Sequence, residues 1–156
     1  MSSDPSHLQL LSEKLFNEKN YLIMCDPCLA EECVHRTVVN RSYYAAYNYF
    51  KDWASNDNKM NYDENKALKH YNRIATEKNK RSVGIHKVFI LFLLDNARKH
   101  NNDYVIRYCA NNLEYMRKDR VDADYHFDKN ICNSIAKTNC LLSRKIIKHV
   151  NELKVV

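Results

Sequence analysis

Val34-His-Arg-Thr-Val-Val-Asn-Arg-Ser-Tyr-Tyr-Ala-Ala-Tyr-Asn-Tyr-Phe-Lys-Asp-Trp53 decides the fold class. Val34, Val38, Ser42, Ala45, Tyr49 and Trp53 recur at steps of three and four, which puts them on one stripe of a long helix. Ser42, Ala45 and Ala46 are small enough to let a neighbouring helix approach closely. Asp26-Pro27 offers a start for this helix and Ser55-Asn-Asp-Asn58 a stop.

The same period recurs on both sides. Asp4-Pro5 predicts a first helix carrying Leu8, Leu11 and Leu15 to about Lys19. A third core helix is expected from about Ser82 to His100, around the apolar run Val88-Phe-Ile-Leu-Phe-Leu-Leu94. A fourth is expected from Asn102-Asp103 to about Asp124, with Val105, Ile106, Cys109, Leu113 and Met116 inward. The last is expected from about Asp128 to the end, with Ile131, Ile135, Leu142, Ile146 and Val150. Between the second and third core helices, residues 59–81 are polar and basic, and predict a short amphipathic helix near Glu64–Thr76 inside a mobile connection.

Composition supports this outline. The chain has 156 residues, one glycine and two prolines, too few for the turns of a β-rich fold of that length. The expectation is one all-α domain over residues 1–156: a compact bundle of about five core helices, plus a basic inserted segment at about 56–81. No internal repeat or low-complexity tract interrupts it.

Several function classes fall away. Gly84 is the single glycine, so neither a P-loop nor a dinucleotide-binding turn can be built. The run at 88–94 is too short to cross a bilayer. The start of the chain is polar, so a cytoplasmic protein with reduced thiols is expected. Cys25, Cys28, Cys33 and His35 have the spacing of a zinc knuckle, but a single knuckle is a weak signal, burial as small apolar residues is the plainer explanation, and no metal or cofactor is expected. The formal net charge of +6 is compatible with an anionic partner without proving one.

Two stretches carry chemistry. Arg120-Val-Asp-Ala-Asp-Tyr-His126 holds an arginine and a histidine where a helical pattern ends. A guanidinium that grips a phosphate and an imidazole that moves a proton can cleave RNA without a metal. Six steps of a straight helix rotate a side chain by about 240° net, so the two would share a site only if the helix loosens or two chains contribute. The plainer reading of the same residues is an ordinary Arg120–Asp124 ion pair beside a surface histidine. Arg41-Ser-Tyr-Tyr-Ala-Ala-Tyr47 places a cation beside the apolar stripe of the long helix. Arg41 is expected to pair with Asp122 or Asp124, either to fix register or to face a phosphate. Tyr43, Tyr44 and Tyr47 serve more often in cores and interfaces than as base-stacking platforms.

These blocks together resemble a family. Arg41-Ser-Tyr-Tyr-Ala45 resembles the R-x-Y-Y-A helix of the HEPN superfamily (higher eukaryotes and prokaryotes nucleotide-binding domain). Gly84-Ile-His86-Lys87-Val88 resembles the histidine-bearing start of that family's next core helix, and Arg120-Val-Asp-Ala-Asp124-Tyr125 its R-x-x-A-D-Y signature. The resemblance implies a helical bundle that forms a homodimer and, in many members, a metal-independent endoribonuclease of toxin–antitoxin or anti-phage systems. It implies catalytic Arg120 and His126, supported by Arg41, Tyr44, His86, Asp124 and Tyr125. Lys78, Lys80 and Arg81 would attract the RNA backbone. The partners implied are a second copy, an RNA substrate and a nucleotidyltransferase-like antitoxin or another defence-system protein. A non-catalytic module that binds RNA, nucleotide or a partner protein is the alternative. The dimer face is expected on the second and fourth helices, around Tyr43 to Tyr49.

Overall fold

In the computed structural model the described residues are 5–25 and 31–154. They form seven α-helices and no strand: α1 Pro5–Asn17, α2 Lys19–Cys25, α3 Glu31–Asn56, α4 Glu64–Glu77, α5 Ile85–Asn96, α6 Asp103–Tyr125 and α7 Asn133–Leu153, with a 3-10 turn at Ala97–Lys99 between α5 and α6. None of these helices is long and apolar enough to cross a membrane.

The long helix α3 is the axis of the bundle. Its 26 residues extend for about 39 Å. It packs against α1, α6 and α7, while α5 lies on α6 and α4 on α5. Because neighbours surround it, α3 buries more than one stripe: Val34, Val38, Ser42, Ala45 and Trp53 are covered as expected, and so are Val39, Tyr43, Ala46, Tyr47, Phe50 and Ala54. Tyr43, Phe50, Phe89, Leu93, Ile106, Leu113, Met116 and Ile146 fill one apolar cluster. Val34, Val38, Val39, Ala123, Ile131 and Ala136 form a second at the other end of α3.

The elements depart from the sequence expectations in four places. A short helix, α2, follows α1 where none was expected, and its Leu22 and Ile23 are half-buried. Asp4 and Asp26-Pro27 lie outside the described residues. On α1 the buried positions are polar: Ser12 Oγ meets Ser42 Oγ at 2.8 Å, and Gln9 Nε2 donates to the Cys140 carbonyl at 3.3 Å. Leu11, expected inside, is 43% exposed, because the small Ser42 draws the neighbouring face of α1 inward.

The segment after α3 is docked rather than loose. Met60 and Tyr62 are buried, and the Tyr62 amide donates to the Ala54 carbonyl at 2.9 Å. Asp63 caps α4 by accepting from the Lys66 amide, and α4 buries Ala67, Tyr71 and Ala75. The Tyr71 hydroxyl donates to Asp95 on α5 at 2.7 Å. Asn79 follows α4 with a φ of 50°, a left-handed conformation that asparagine tolerates better than most residues.

The last helix starts five residues later than expected, at Asn133 rather than Asp128. Ile131 drops into the second cluster as part of a loop instead of a helix. Its amide donates to Glu32 at 3.3 Å, and its carbonyl accepts from His35 Nδ1 at 3.1 Å. Those α3 contacts satisfy the backbone groups that a further helical turn would have paired.

Candidate functional site

Helices α3 and α6 run antiparallel, so rising numbers on one meet falling numbers on the other: Asn40 reaches Asp124 and Tyr44 reaches Arg120. The first turn of α5 closes this seam with His86, whose imidazole packs on the rings of Tyr43, Tyr44 and Tyr47. The R-x-Y-Y-A, His86 and R-x-x-A-D-Y blocks therefore converge, although they are far apart in sequence.

Arg120 is the centre of the seam, and its side chain is only 15% exposed. Its Nη2 donates to the Tyr44 hydroxyl at 2.8 Å. Its guanidinium lies 5.3 Å from the Tyr44 ring centroid and 5.5 Å from that of Tyr125. Nε sits 2.7 Å from Asp124 Oδ2 but off line, so the contact is ionic and Nε makes no hydrogen bond. Asp124 is held from the other side by Asn40 Nδ2 at 2.7 Å.

His86 Nδ1 lies 3.0 Å from the Tyr43 hydroxyl. Burial, followed by the charges of Arg120, Arg117 and Lys51, pushes the imidazole below its ordinary pKa. The neighbouring cations have their own partners. Arg117 and Lys87 both bind Glu114, at 2.9 and 3.0 Å, and Lys51 pairs with Glu64. Burial alone would raise the Glu114 carboxyl, but its bonds to Arg117 and Lys87 hold it below the usual range.

Arg41 is not part of this network. It is exposed and makes no ion pair among the described residues; its neighbour Asn40 occupies the position facing Asp124. One helical step of about 100° separates the two, which turns Arg41 to solvent. The expected Arg41–Asp pair is therefore replaced by an Arg120–Asp124–Asn40 chain.

Nor does one chain bring Arg120 and His126 together. Helix α6 continues to Tyr125, so the rotation expected of a straight helix applies. His126 is exposed at the end of α6, with the Asp122 carboxylate 3.9 Å from its Nε2. Its backbone is anchored by Arg36, which no sequence pattern had singled out. Arg36 donates to the carbonyls of Asp122 at 3.2 Å, Ala123 at 2.8 Å, His126 at 3.4 Å and Lys129 at 2.6 Å, while its charge pairs with Glu32. A cation at a helix C-terminus interacts favourably with the carbonyl dipoles there. The available signal was its i,i+4 spacing from Glu32, which marks a helix ion pair but not the distant carbonyls.

Tyr43 and Tyr47 are buried inside the chain, together with Ala45 and Ala46. Tyr43 and Tyr47 lie under α5 and α6, while Tyr44 and Tyr49 are half-buried. The exposed large apolar residues near His126 are Tyr125 and Phe127, 66% and 79% exposed. Lys78, Lys80 and Arg81 are exposed on the loop that leads into α5 and make no ion pair among the described residues.

Cys28 and the side chain of Cys25 lie outside the described residues. Of the remaining knuckle residues, Cys33 is exposed while His35 turns inward to the Ile131 carbonyl, so these two do not face a common point. Cys33, Cys109, Cys132 and Cys140 are free thiols. A separate cleft of about 630 Å³ lies between α4 and α5, lined in part by Lys66, His70, Tyr71, Phe92 and Asp95; it includes none of the catalytic, supporting or RNA-binding residues expected from the sequence.

No family model, no curated protein and no solved structure matches this chain.

Proposed function

We propose that this protein is a HEPN-type endoribonuclease that cuts RNA without a metal, as a cytoplasmic homodimer in a toxin–antitoxin or anti-phage role. The supporting observation is the seam at Arg120: a guanidinium held between two aromatic rings. Such a group can grip phosphate oxygens while its aromatic neighbours take a base. Since Arg120 and His126 of one chain point apart, a site would combine Arg120 of one protomer with His126 of the other. Tyr125 and Phe127, exposed beside His126, would supply apolar contacts between them.

In this reading His126 removes the proton of a ribose 2′-hydroxyl. The 2′-oxygen attacks phosphorus and the 5′-oxygen leaves, taking up a proton from water, which gives a 2′,3′-cyclic phosphate and a 5′-hydroxyl. Arg120 stabilises the charge that develops on the phosphoryl oxygens. Lys78, Lys80 and Arg81 add sequence-independent attraction for the RNA backbone. A nucleotidyltransferase-like antitoxin would be the natural partner.

The test is cleavage of labelled oligoribonucleotides in EDTA. Wild type should cut, while His126→Ala and Arg120→Lys should not. Mixing Arg120→Ala with His126→Ala protein should restore part of the activity if the site is shared between chains. No cleavage by wild type above the His126→Ala control sinks the nuclease reading. The ion pair that already occupies Arg120 favours, in that event, a non-catalytic module that binds RNA or a partner protein.

A further inference from the structure

The His86–Tyr43 pair has a polarity that its burial dictates. Tyr43 is fully buried, and its hydroxyl has one hydrogen-bond partner among the described residues, Nδ1 of His86 at 3.0 Å. A buried phenol whose hydrogen has no acceptor is costly. Burial also pushes the Tyr43 pKa far up, so the hydroxyl keeps its hydrogen. The hydroxyl therefore donates, Nδ1 accepts, and the ring's own hydrogen resides on Nε2. Doubly protonating the ring would set an N–H against the phenol hydrogen. The surrounding charges also oppose it: Arg117 and Arg120 on α6 and Lys51 on α3, with only Glu64 on α4 acting the other way.

Nε2 itself has no hydrogen-bond partner among the described residues and is not among their sealed polar atoms, so solvent can reach it. Tyr44 contacts both the His86 ring and Arg120. The Tyr44 hydroxyl accepts from Arg120 Nη2, and the Tyr44 ring meets the His86 ring edge-on at 5.7 Å. One tyrosine is thus shared by the His86 ring and the Arg120 guanidinium.

We infer that Tyr43 fixes His86 as a donor through Nε2, and that this N–H and Arg120 of the same chain together hold the non-bridging oxygens of an RNA phosphodiester. The inference rests on the proposed RNA-directed function and adds a binding residue that the Arg120–His126 pair does not include. His86 is a phosphate contact in this arrangement, with no step in proton transfer. Tyr43 is a positioning residue that acts through His86.

The experiment is histidine ¹⁵N NMR of the full chain at pH 7, with the His86 signals assigned from His86→Gln. The expected spectrum shows hydrogen on Nε2 alone; a ring with hydrogen on Nδ1, or on both nitrogens, overturns the inference. Tyr43→Phe removes the donor and should let the Nδ1–H form appear; an unchanged spectrum overturns the positioning role. A 2′-O-methyl oligonucleotide, which cannot be cleaved through the 2′-oxygen, should shift the Nε2 signal. A response to inorganic phosphate alone would assign the site to free phosphate and overturn the RNA assignment. His86→Ala should weaken oligonucleotide binding about tenfold. His86→Gln, whose amide nitrogen falls near the Nε2 position, should retain most of it, and His86→Asn, which mimics Nδ1, should not. Wild type that fails to bind the oligonucleotide defeats the RNA reading and this inference together. Unchanged binding by His86→Ala defeats this inference alone, since cleavage through His126 is assayed separately.

Discussion

Asn40, and not Arg41, meets Asp124: the Asn40 amide donates to the carboxylate at 2.7 Å, and Asp124 in turn holds Arg120. An amide does here what a second cation was expected to do. The consequence is electrostatic as well as geometric. Asp124 faces one guanidinium rather than two, and Arg41 remains a surface charge with no ion pair among the described residues.

The two neighbours should therefore respond unequally to truncation. Asn40→Ala removes a hydrogen bond to a charged group and should destabilise by about 1.5–3 kcal/mol. Arg41→Ala should stay within about 0.5 kcal/mol, as exposed substitutions usually do. Urea unfolding of the two variants decides the matter; a destabilised Arg41→Ala would restore the buried-pair expectation.

Arg36→Ala should be among the most damaging polar substitutions. It leaves the carbonyls at the end of α6 without their cation and removes the anchor of the loop carrying His126 and Ile131. The expected loss is about 2–4 kcal/mol. Hydrogen exchange should also accelerate at residues 126–132 before the rest of the chain. Unchanged protection there would remove Arg36 from its anchoring role.

His86 gives stability a dependence on pH. Its folded pKa is lowered, so as pH falls below about 6.5 the unfolded chain takes up a proton that the folded chain refuses. Its contribution to stability is fully present above that pH and is lost as pH falls toward the folded value. His86→Gln should flatten this part of the stability profile. A variant with the wild-type pH slope would locate the linkage elsewhere.

Asp119 runs the other way. Burial raises its carboxyl pKa, although Asn139 donates to it at 2.7 Å. The folded state retains a proton that the unfolded chain loses above about 3.9, so this contribution weakens as pH rises through the folded value. Asp119→Asn keeps an acceptor for Asn139 without the buried charge. It should leave the Tm at neutral pH unchanged or raise it by about 2–4 °C, the shift that 1 kcal/mol produces at this size. A clear fall in Tm would mean that the charge itself is stabilising.

The docked α4 should resist proteolysis despite its lysines. Tyr71→Ala removes a buried ring and its bond to Asp95, so trypsin should then cut within α4, residues 64–77, while the remaining core stays intact. Equal cleavage in wild type would argue that α4 does not stay in place.

The helical class and most helix positions were legible in the sequence, because the scarcity of glycine and proline and the three–four spacing of apolar residues are local properties of the chain. Helix α6 and the capped start of α4 show this: residues within a few positions of each other decide both. The same locality exposed the divergence of Arg120 and His126, which follows from helical rotation alone. What only the tertiary structure decided depends on partners remote in sequence. Ile131 leaves the helical pattern because Glu32 and His35 satisfy its backbone. Tyr43 and Tyr47 read as a surface for another chain but are covered by this chain's own α5 and α6, and the hydrogen-bond polarity of His86 is set by a phenol buried 43 residues away. A single helical step sends Asn40 to Asp124 and Arg41 to solvent, and that choice depends on where α6 lies against α3, a position fixed by the packing of the whole bundle.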